Sequence, residues 1–288
     1  MMHDKSTNTE PYPSDYHIHT PYCGHAHGKI IEYVTEALKK GMTEICFTDH
    51  LGRYYLSEYQ RKRYWDWGMS NKNLDRYYHE IEDVQNMYQN TLHIRIGLEI
   101  DFIAGAEDLI PPIINRYSLD FLLGSIHCLP LFGWKHIANY STDDVWSIYQ
   151  SYFEAAKAAI TSHLFNSLAH LDFIWRFSQW PDSKTDEICS SIDEIVKLAV
   201  KHDVAIEINS NGFIWSQNYQ LSESDPFLFL LDAIKRHKAH ITIGSDAHKP
   251  DCVGNMFNDI TRVLKSKGIV QYCTYLKRKK NIVKIPDE

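Results

Sequence analysis

Residues 15–20 read DYHIHT, and the fold turns on this stretch. A short β-type run, DYHI, hands over at once to an imidazole pair, His17 and His19. Residues i and i+2 of a strand share a face, so both rings leave the strand on the same side. Working outward, the hand-over recurs as CGH at 23–25, FTDH at 47–50, GLEID at 97–101, GSIH at 124–127, LAH at 168–170 and GSDAH at 244–248. An apolar stretch precedes nearly every group. Groups spread over more than 200 residues converge on one point only if the strand ends are arranged around it.

The strand-like runs are 15–18, 44–48, 94–100, 119–126, 166–171, 204–209 and 239–245. They are short and mostly β-branched or apolar. Helical periodicity fills the intervals at 30–41, 73–88, 142–160, 184–203, 224–237 and 256–268. In the first of these Ile30, Tyr33, Val34, Ala37 and Leu38 share a face, and Gly41 stands where a helix ends. Thr142 is placed to cap the third. Pro226 falls in the first turn of the fifth, where its missing N–H costs nothing. Strands alternating with helices predict an α/β fold, a (β/α)7 barrel with its active site at the C-terminal ends of the strands. The rival is an open doubly wound sheet, which brings together mainly the two strands at its switch point. Here donor residues close almost every strand, which favours the barrel. No GxGxxG or GxxxxGK[ST] is present to cradle phosphate. The chain reads as one domain over 1–288, with a lid-like insertion around 51–72 that is too long for an ordinary connection.

Composition narrows the class. Hydrophobic residues make up 44% of 288 residues, enough for one large core. No run of 18 apolar residues occurs, so no membrane span is expected. The opening MMHDKSTNTEPYP has no apolar signal core, and a cytoplasmic location is expected. The net charge of −7 argues against a general nucleic-acid surface. RYYLSEYQRKRYWDW at 53–67 is the local exception, suited to stacking on a strand or to covering a small anion. The basic YLKRKKNIVKIP near the C-terminus reads as a solvated strand or hairpin. Six cysteines without a CxxC pair read as free thiols, with Cys23 and Cys128 packed beside donor residues.

The candidate donors number nine: His17, His19, His25, His50, Glu99, His127, His170, Asp246 and His248. One ion uses three to five protein ligands, so nine call for two or three divalent ions, with carboxylates available to bridge. Mixed imidazole and carboxylate donors suit zinc, iron or manganese rather than magnesium. Asp15 and Asp49 either orient an imidazole through its second nitrogen or cap a loop. His27 is the bystander to His25. His3, His79, His93, His136, His163, His202, His237 and His240 read as ordinary surface or core residues, with His136 and His163 the candidates for reaching the mouth.

With HTPYCGHAHG, FTDH, GLEIDF, GSIH, LAHLD and GSDAHKPDCVG in this order, residues 15–255 resemble the PHP (polymerase and histidinol phosphatase) superfamily. TPYCGHAHG after the HxH is similar to the monofunctional histidinol-phosphatase branch. The resemblance implies a distorted (β/α)7 barrel with a trinuclear site. It implies a first metal at His17, His19, Glu99 and Asp246, bridged by Glu99 to a second at His127 and His170. A third would take His25, His50 and His248. It further implies a metal-dependent phosphomonoesterase of histidine biosynthesis, releasing L-histidinol and inorganic phosphate from L-histidinol phosphate.

Adjacent cations acidify a water and neutralise phosphate oxygens, the two needs of phosphomonoester cleavage. A metal-bound hydroxide is the expected nucleophile, with His17, His19, Glu99, Asp246 and His248 around the reacting atoms. The general acid stays unassigned. Arg176 and Arg53 are candidates to grip phosphate. Glu207, Asp101 and Asp172 could supply charge for an ammonium, and Tyr22, Trp134 and Trp175 an aromatic wall. The partner is then a small phosphate ester, with nucleic acid not expected and monomer and homodimer both open. Two rivals remain: a PHP-type phosphoesterase or 3′–5′ exonuclease acting on nucleotides or nucleic acid, and an amidohydrolase-type hydrolase. The second commonly bridges its metals from strand four and uses a histidine on strand six, whereas here the bridging glutamate sits on strand three.

Overall fold

The computed structural model describes residues 12–61, 68–140, 144–178, 180–218 and 225–286. His3, Thr142, residues 62–67 of the basic aromatic stretch and most of the polar N-terminal segment lie outside these ranges.

Seven strands make one sheet: β1 (Asp15–Ile18), β2 (Glu44–Phe47), β3 (His93–Asp101), β4 (Phe121–Ser125), β5 (Ser167–Leu168), β6 (Ala205–Asn209) and β7 (Ile241–Gly244). They neighbour one another in chain order, and every ladder is parallel. A parallel bridge between Ile18 and Ala247 links the end of β1 to the residues after β7. There His19 N donates to Ala247 O at 2.9 Å and Ala247 N to His17 O at 3.2 Å. The sheet therefore closes as the expected barrel, and the open-sheet rival falls. β5 is only two residues long, so the wall is thinnest there.

The longer helices are α1 (Ile30–Lys39), α2 (Asn71–Tyr88), α3 (Val145–Thr161), α4 (Thr185–Lys201), α5 (Ser210–Asn218), α6 (Pro226–His237) and α7 (Phe257–Ser266), with short helical turns at Glu58–Arg61, Pro111–Ile114 and Phe173–Phe177. α1 buries Ile30, Tyr33, Val34 and Ala37, the face its period predicts. α3 begins later than its pattern suggested. Asp144 is its cap, accepting from Ser147 N at 3.1 Å. α6 starts on Pro226, with Asp225 accepting from Phe227 N at 2.9 Å. α5 was not anticipated. It follows β6 without a spacer, and Asn209 Oδ1 accepts from Asn211 N at 2.9 Å to hold its first turn. No helix among the described residues is long and apolar enough to cross a membrane.

The basic C-terminal stretch folds as an antiparallel hairpin, β8 (Gln271–Leu276) and β9 (Lys279–Lys284). It is not wholly solvated. Tyr272, Cys273, Thr274 and Tyr275 are buried. Cys273 and Tyr275 pack with Tyr16, Cys46, Phe121, Leu123 and Ala169. Lys277 N donates to Asp120 Oδ1 at 2.9 Å, and Tyr275 OH to Asn166 O at 3.2 Å. Those acceptors precede β4 and β5, so the hairpin closes the end of the barrel opposite the strand C-termini. Each large apolar side chain buried in this way contributes roughly 1.5–3 kcal/mol.

The insertion after β2 is pinned at its neck. Leu51 bridges Met69, and Gly52 N donates to Met69 O at 3.0 Å. A Cβ on Gly52 would stand 2.1 Å from that same oxygen, so only glycine lets the two backbones approach this closely.

Candidate metal centre

Parallel strands in a closed ring aim all their C-terminal ends at one mouth. His17 is the penultimate residue of β1 and His19 follows the strand; Glu99 lies near the end of β3. His50, His127, His170, Asp246 and His248 sit in the turns after β2, β4, β5 and β7, and His25 in the turn after β1. Asp246 adopts φ +55, a left-handed conformation uncommon outside glycine. Asn211, at the start of α5, donates to its Oδ2 at 3.1 Å.

Glu99, fully buried, divides the imidazoles. Its Oε2 lies 3.1 Å from His17 Nε2, 3.3 Å from His19 Nε2 and 3.0 Å from His50 Nδ1. Its Oε1 lies 3.1 Å from His170 Nε2 and 3.5 Å from His127 Nε2. Asp246 Oδ1 is 3.2 Å from His19 Nε2 and 3.5 Å from His17 Nε2. His248 Nε2 faces His25 Nε2 at 2.8 Å. All nine sequence candidates thus meet at the mouth. Among the described residues, donor atoms within 4.8 Å of one another occur in the sets His17–His19–Glu99, His50–Glu99–His127, His19–His50–His248, Cys23–His25–His248 and His19–Cys23–Asp49. His50 is therefore shared between groups.

These residues fit divalent cations. Glu207 Oε1 stands 2.6 Å behind His17 Nδ1, Asp101 Oδ1 2.7 Å behind His127 Nδ1, and Asp49 Oδ1 3.5 Å behind His19 Nδ1. At His17 and His127 the carboxylate holds the proton on Nδ1 and leaves Nε2 as a lone pair, whereas His19 Nδ1 is buried with no hydrogen-bond partner among the described residues. His17 Nε2 and His19 Nε2 then face each other at 2.9 Å, with Glu99 beside them. Lone pairs and a carboxylate so packed repel unless a metal cation or extra protons sit among them. Ligands about 2.0–2.1 Å from a tetrahedral zinc are about 3.3 Å apart, close to the spacings here. Asp15 caps a loop: it accepts from Ser245 N at 2.9 Å and Gly254 N at 2.8 Å.

The electrostatics carry the same strain. Burial works against charge on His17 and His19, yet neighbouring carboxylates, Glu207 and Glu99 for His17 and Asp246 and Asp49 for His19, push both well above the ordinary range. Burial also opposes charge on Glu99 and Asp246, and the imidazoles outweigh it, holding both well below the carboxylate range. His50 is driven well down by burial, and His248 to about 4 by burial and then by His19. Without cations the cluster balances its charge only by holding extra protons on some rings.

Among the residues offered for substrate, Arg53 and Glu207 are turned to other partners. Arg53 is buried, its Nη2 2.5 Å from Asp101 Oδ2. Glu207 spends its second oxygen on His170 N at 2.7 Å and Asn209 Nδ2 at 3.1 Å, so it stands behind the histidines. Arg176 lies over the Phe173 ring, 4.9 Å from its centroid, with Nε 3.2 Å from Asp172 Oδ2. Its Nη2 is buried with no hydrogen-bond partner among the described residues. Trp175 is in the core. Tyr22 faces a groove between α1 and α2, donating to Glu80 at 2.6 Å. The cavity over the donors, about 520 Å³, is walled by Phe173, Phe177 and His136. The sequence missed the two phenylalanines. Their i, i+4 spacing in FIWRF, just after His170, was the available signal. His136 stacks parallel to His127 at 6.0 Å, whereas His163 pairs with His202 at 5.1 Å and does not line that cavity.

Comparison with known proteins agrees with this arrangement. A family model described as the PHP domain matches residues 15–211. A Deinococcus radiodurans protein named probable histidinol-phosphatase is 30% identical over 88% of this chain and 93% of its own length. The histidinol-phosphatase of Bacillus subtilis is 27% identical over 83% of this chain and 95% of its own. In structure the chain is similar to the Lactococcus lactis histidinol phosphate phosphatase solved with zinc, L-histidinol and phosphate. The TM-score is 0.78 at 23% identity, covering 94% of this chain and 99% of that one; this likeness establishes the fold.

Proposed function

This chain belongs to the PHP domain family, and we propose that it is a metal-dependent histidinol-phosphatase, hydrolysing L-histidinol phosphate to L-histidinol and inorganic phosphate. The observation that carries the reading is the buried Glu99, with imidazoles against both of its oxygens. Three relatives that share 83–95% of their length with the chain bear that activity in their names, and two others at 80% and 87% are named more broadly as probable phosphatases.

In this reading His17, His19, Glu99 and Asp246 would hold one divalent ion, and His127 and His170, with Glu99 between the two groups, would hold a second. His25, His50 and His248 provide for a third. Zinc, iron and manganese all suit the two or three positions. When bound, such ions acidify a water and neutralise the phosphate oxygens. The chain's own residues do the rest. Glu207 and Asp101 keep the ring protons on Nδ1 of His17 and His127. Phe173 and Phe177 present flat apolar faces to the alcohol half of the substrate. Arg176 Nη2 is a donor for a phosphate oxygen. In the balanced reaction a water oxygen bonds to phosphorus, the ester P–O bond breaks, and the departing alkoxide gains a proton.

The test is a substrate panel on metal-loaded protein: histidinol phosphate, a nucleoside monophosphate, single-stranded DNA and a set of amides and lactones. Phosphate release from the first, well above the others, is expected. Faster turnover of nucleotide or DNA favours the phosphoesterase or exonuclease rival, and amide or lactone cleavage the amidohydrolase one; either result overturns the assignment.

A further inference from the structure

Arg53 belongs to the insertion, yet its guanidinium is only 2% exposed. Its Nη2 meets Asp101 Oδ2 at 2.5 Å and Cys128 Sγ at 3.3 Å. The other oxygen of Asp101 accepts from His127 Nδ1 at 2.7 Å and from His127 N at 3.3 Å. His127 Nε2 in turn faces Glu99 Oε1 at 3.5 Å. A single line of contacts therefore runs from the insertion, through one carboxylate, to the centre of the donor cluster.

The other carboxylates behind ring nitrogens are built differently. Glu207 is met by the neutral donors His170 N and Asn209 Nδ2, and Asp49 by Thr20 N at 2.7 Å. Among the described residues, Asp101 is the one of the three paired with an arginine. A carboxylate bearing full charge makes the imidazole in front of it a stronger donor. One neutralised by guanidinium still fixes the ring proton and the ring plane but adds less negative charge. Arg53 Nη2 on Oδ2, with His127 Nδ1 and N on Oδ1, also holds the carboxylate in one orientation. His50, three residues before Arg53, carries a donor atom on the same short segment, whose neck is clamped by Leu51 and Met69.

We infer that Arg53 and Asp101 are positioning residues for His127: they hold its ring with the proton on Nδ1, aim Nε2 at the ion shared with Glu99 and His170, and tie that ion to the 51–72 insertion. The inference rests on the metal-binding reading of His127 and assigns Arg53 and Asp101 away from substrate.

The test uses the full chain loaded with cobalt(II) and compares Asp101→Asn, Arg53→Ala and His127→Ala with the parent. Bound ions per chain, the visible cobalt spectrum and the rate of ion removal by a chelator are measured, with circular dichroism as the folding control. Asp101→Asn and Arg53→Ala are expected to release one ion about 10- to 100-fold faster, with an altered spectrum. Added guanidinium ion should restore Arg53→Ala, and sodium at equal ionic strength should not. Asp101→Asn is nearly isosteric and keeps the question answerable if Arg53→Ala does not fold. If His127→Ala loses an ion while both other variants keep the parent's ion count, spectrum and release rate, the positioning role is overturned alone. If His127→Ala keeps every ion, the metal-binding reading of His127 falls with it.

Discussion

Glu207 Oε1 lies 2.6 Å from His17 Nδ1, both side chains buried at the mouth of the barrel. The middle of β6 thus supports β1 past the intervening β7. Burial works to raise the Glu207 carboxyl, but His17 and then His170 outweigh it and hold it below its ordinary range. Glu207→Gln keeps the shape and removes the charge. It should weaken metal affinity about 10- to 100-fold, read by competition with a chromophoric chelator, and leave KM of the metal-saturated protein unchanged. A raised KM at parental metal affinity would return Glu207 to the substrate.

Gly244 makes that contact possible. A Cβ there would stand 2.2 Å from Glu207 Oε1 and 2.5 Å from His17 Cβ. Gly244→Ala should therefore cost about 1–3 kcal/mol, seen as a lower Tm of the stripped protein, and weaken metal binding as Glu207→Gln does. A variant with parental Tm and affinity would show that the strand ends yield more than this packing implies.

The metal-free and metal-loaded proteins should answer pH in opposite ways above neutrality. Without ions, the carboxylates that raise His17 and His19 overcome burial and give stability that is full below the unfolded histidine value, about 6.5. That stability is lost as pH rises through the raised folded values. His50 and His248, lowered by burial, resist charging, so stability also falls as pH drops below about 6.5. Glu99 and Asp246, lowered by the imidazoles, keep their contribution until pH falls through their depressed values. The stripped protein should be most stable near pH 6.5 (roughly the unfolded histidine value) and weaken toward pH 9. Metal binding requires unprotonated ligands and strengthens as pH rises. Thermal melts of both forms from pH 5 to 9 check this, and a stripped protein that gains stability between pH 7 and 9 would contradict it.

At the other end of the barrel, the Tyr16 hydroxyl is hydrogen-bonded to the Glu44 carboxylate and accepts from Tyr275 N at 2.6 Å. Tyr16→Phe leaves those buried partners short of a bond, at a cost of roughly 1–3 kcal/mol. Because the hairpin lies opposite the donor cluster, kcat at saturating metal should be unchanged. A fall in kcat with parental Tm would show that the two ends are coupled.

Arg176→Ala should lower kcat/KM for histidinol phosphate about 10- to 100-fold, the worth of a hydrogen bond to a charged group at roughly 1.5–3 kcal/mol. The metal count should stay parental. Steady-state kinetics with elemental analysis separates this from the loss of an ion.

The seven strands and the nine donors were legible in the sequence because each depends on a local rule. Strand period, turn position and the i, i+2 face of HIH are set by residues near one another in the chain. The ring closure followed once donors were seen at nearly every strand end. Roles that depend on which side chain stands behind another were not legible. Arg53 and Asp101 are 48 residues apart, and Glu207 and His17 are 190 apart. Their pairing exists only after the barrel closes. Buried charges settle on whatever partner satisfies them, so Arg53 and Glu207, which the sequence offered to the substrate, are turned inward to a carboxylate and to an imidazole. α5 and the phenylalanine wall escaped for a similar reason, since a short helix held by one side-chain cap and by packing leaves little period to read. The sequence by itself determined the barrel and the candidate donors that meet at its mouth, because periodicity and donor chemistry are local. Only the tertiary structure decided which charges support the centre, because that is settled by burial among strands distant in the chain.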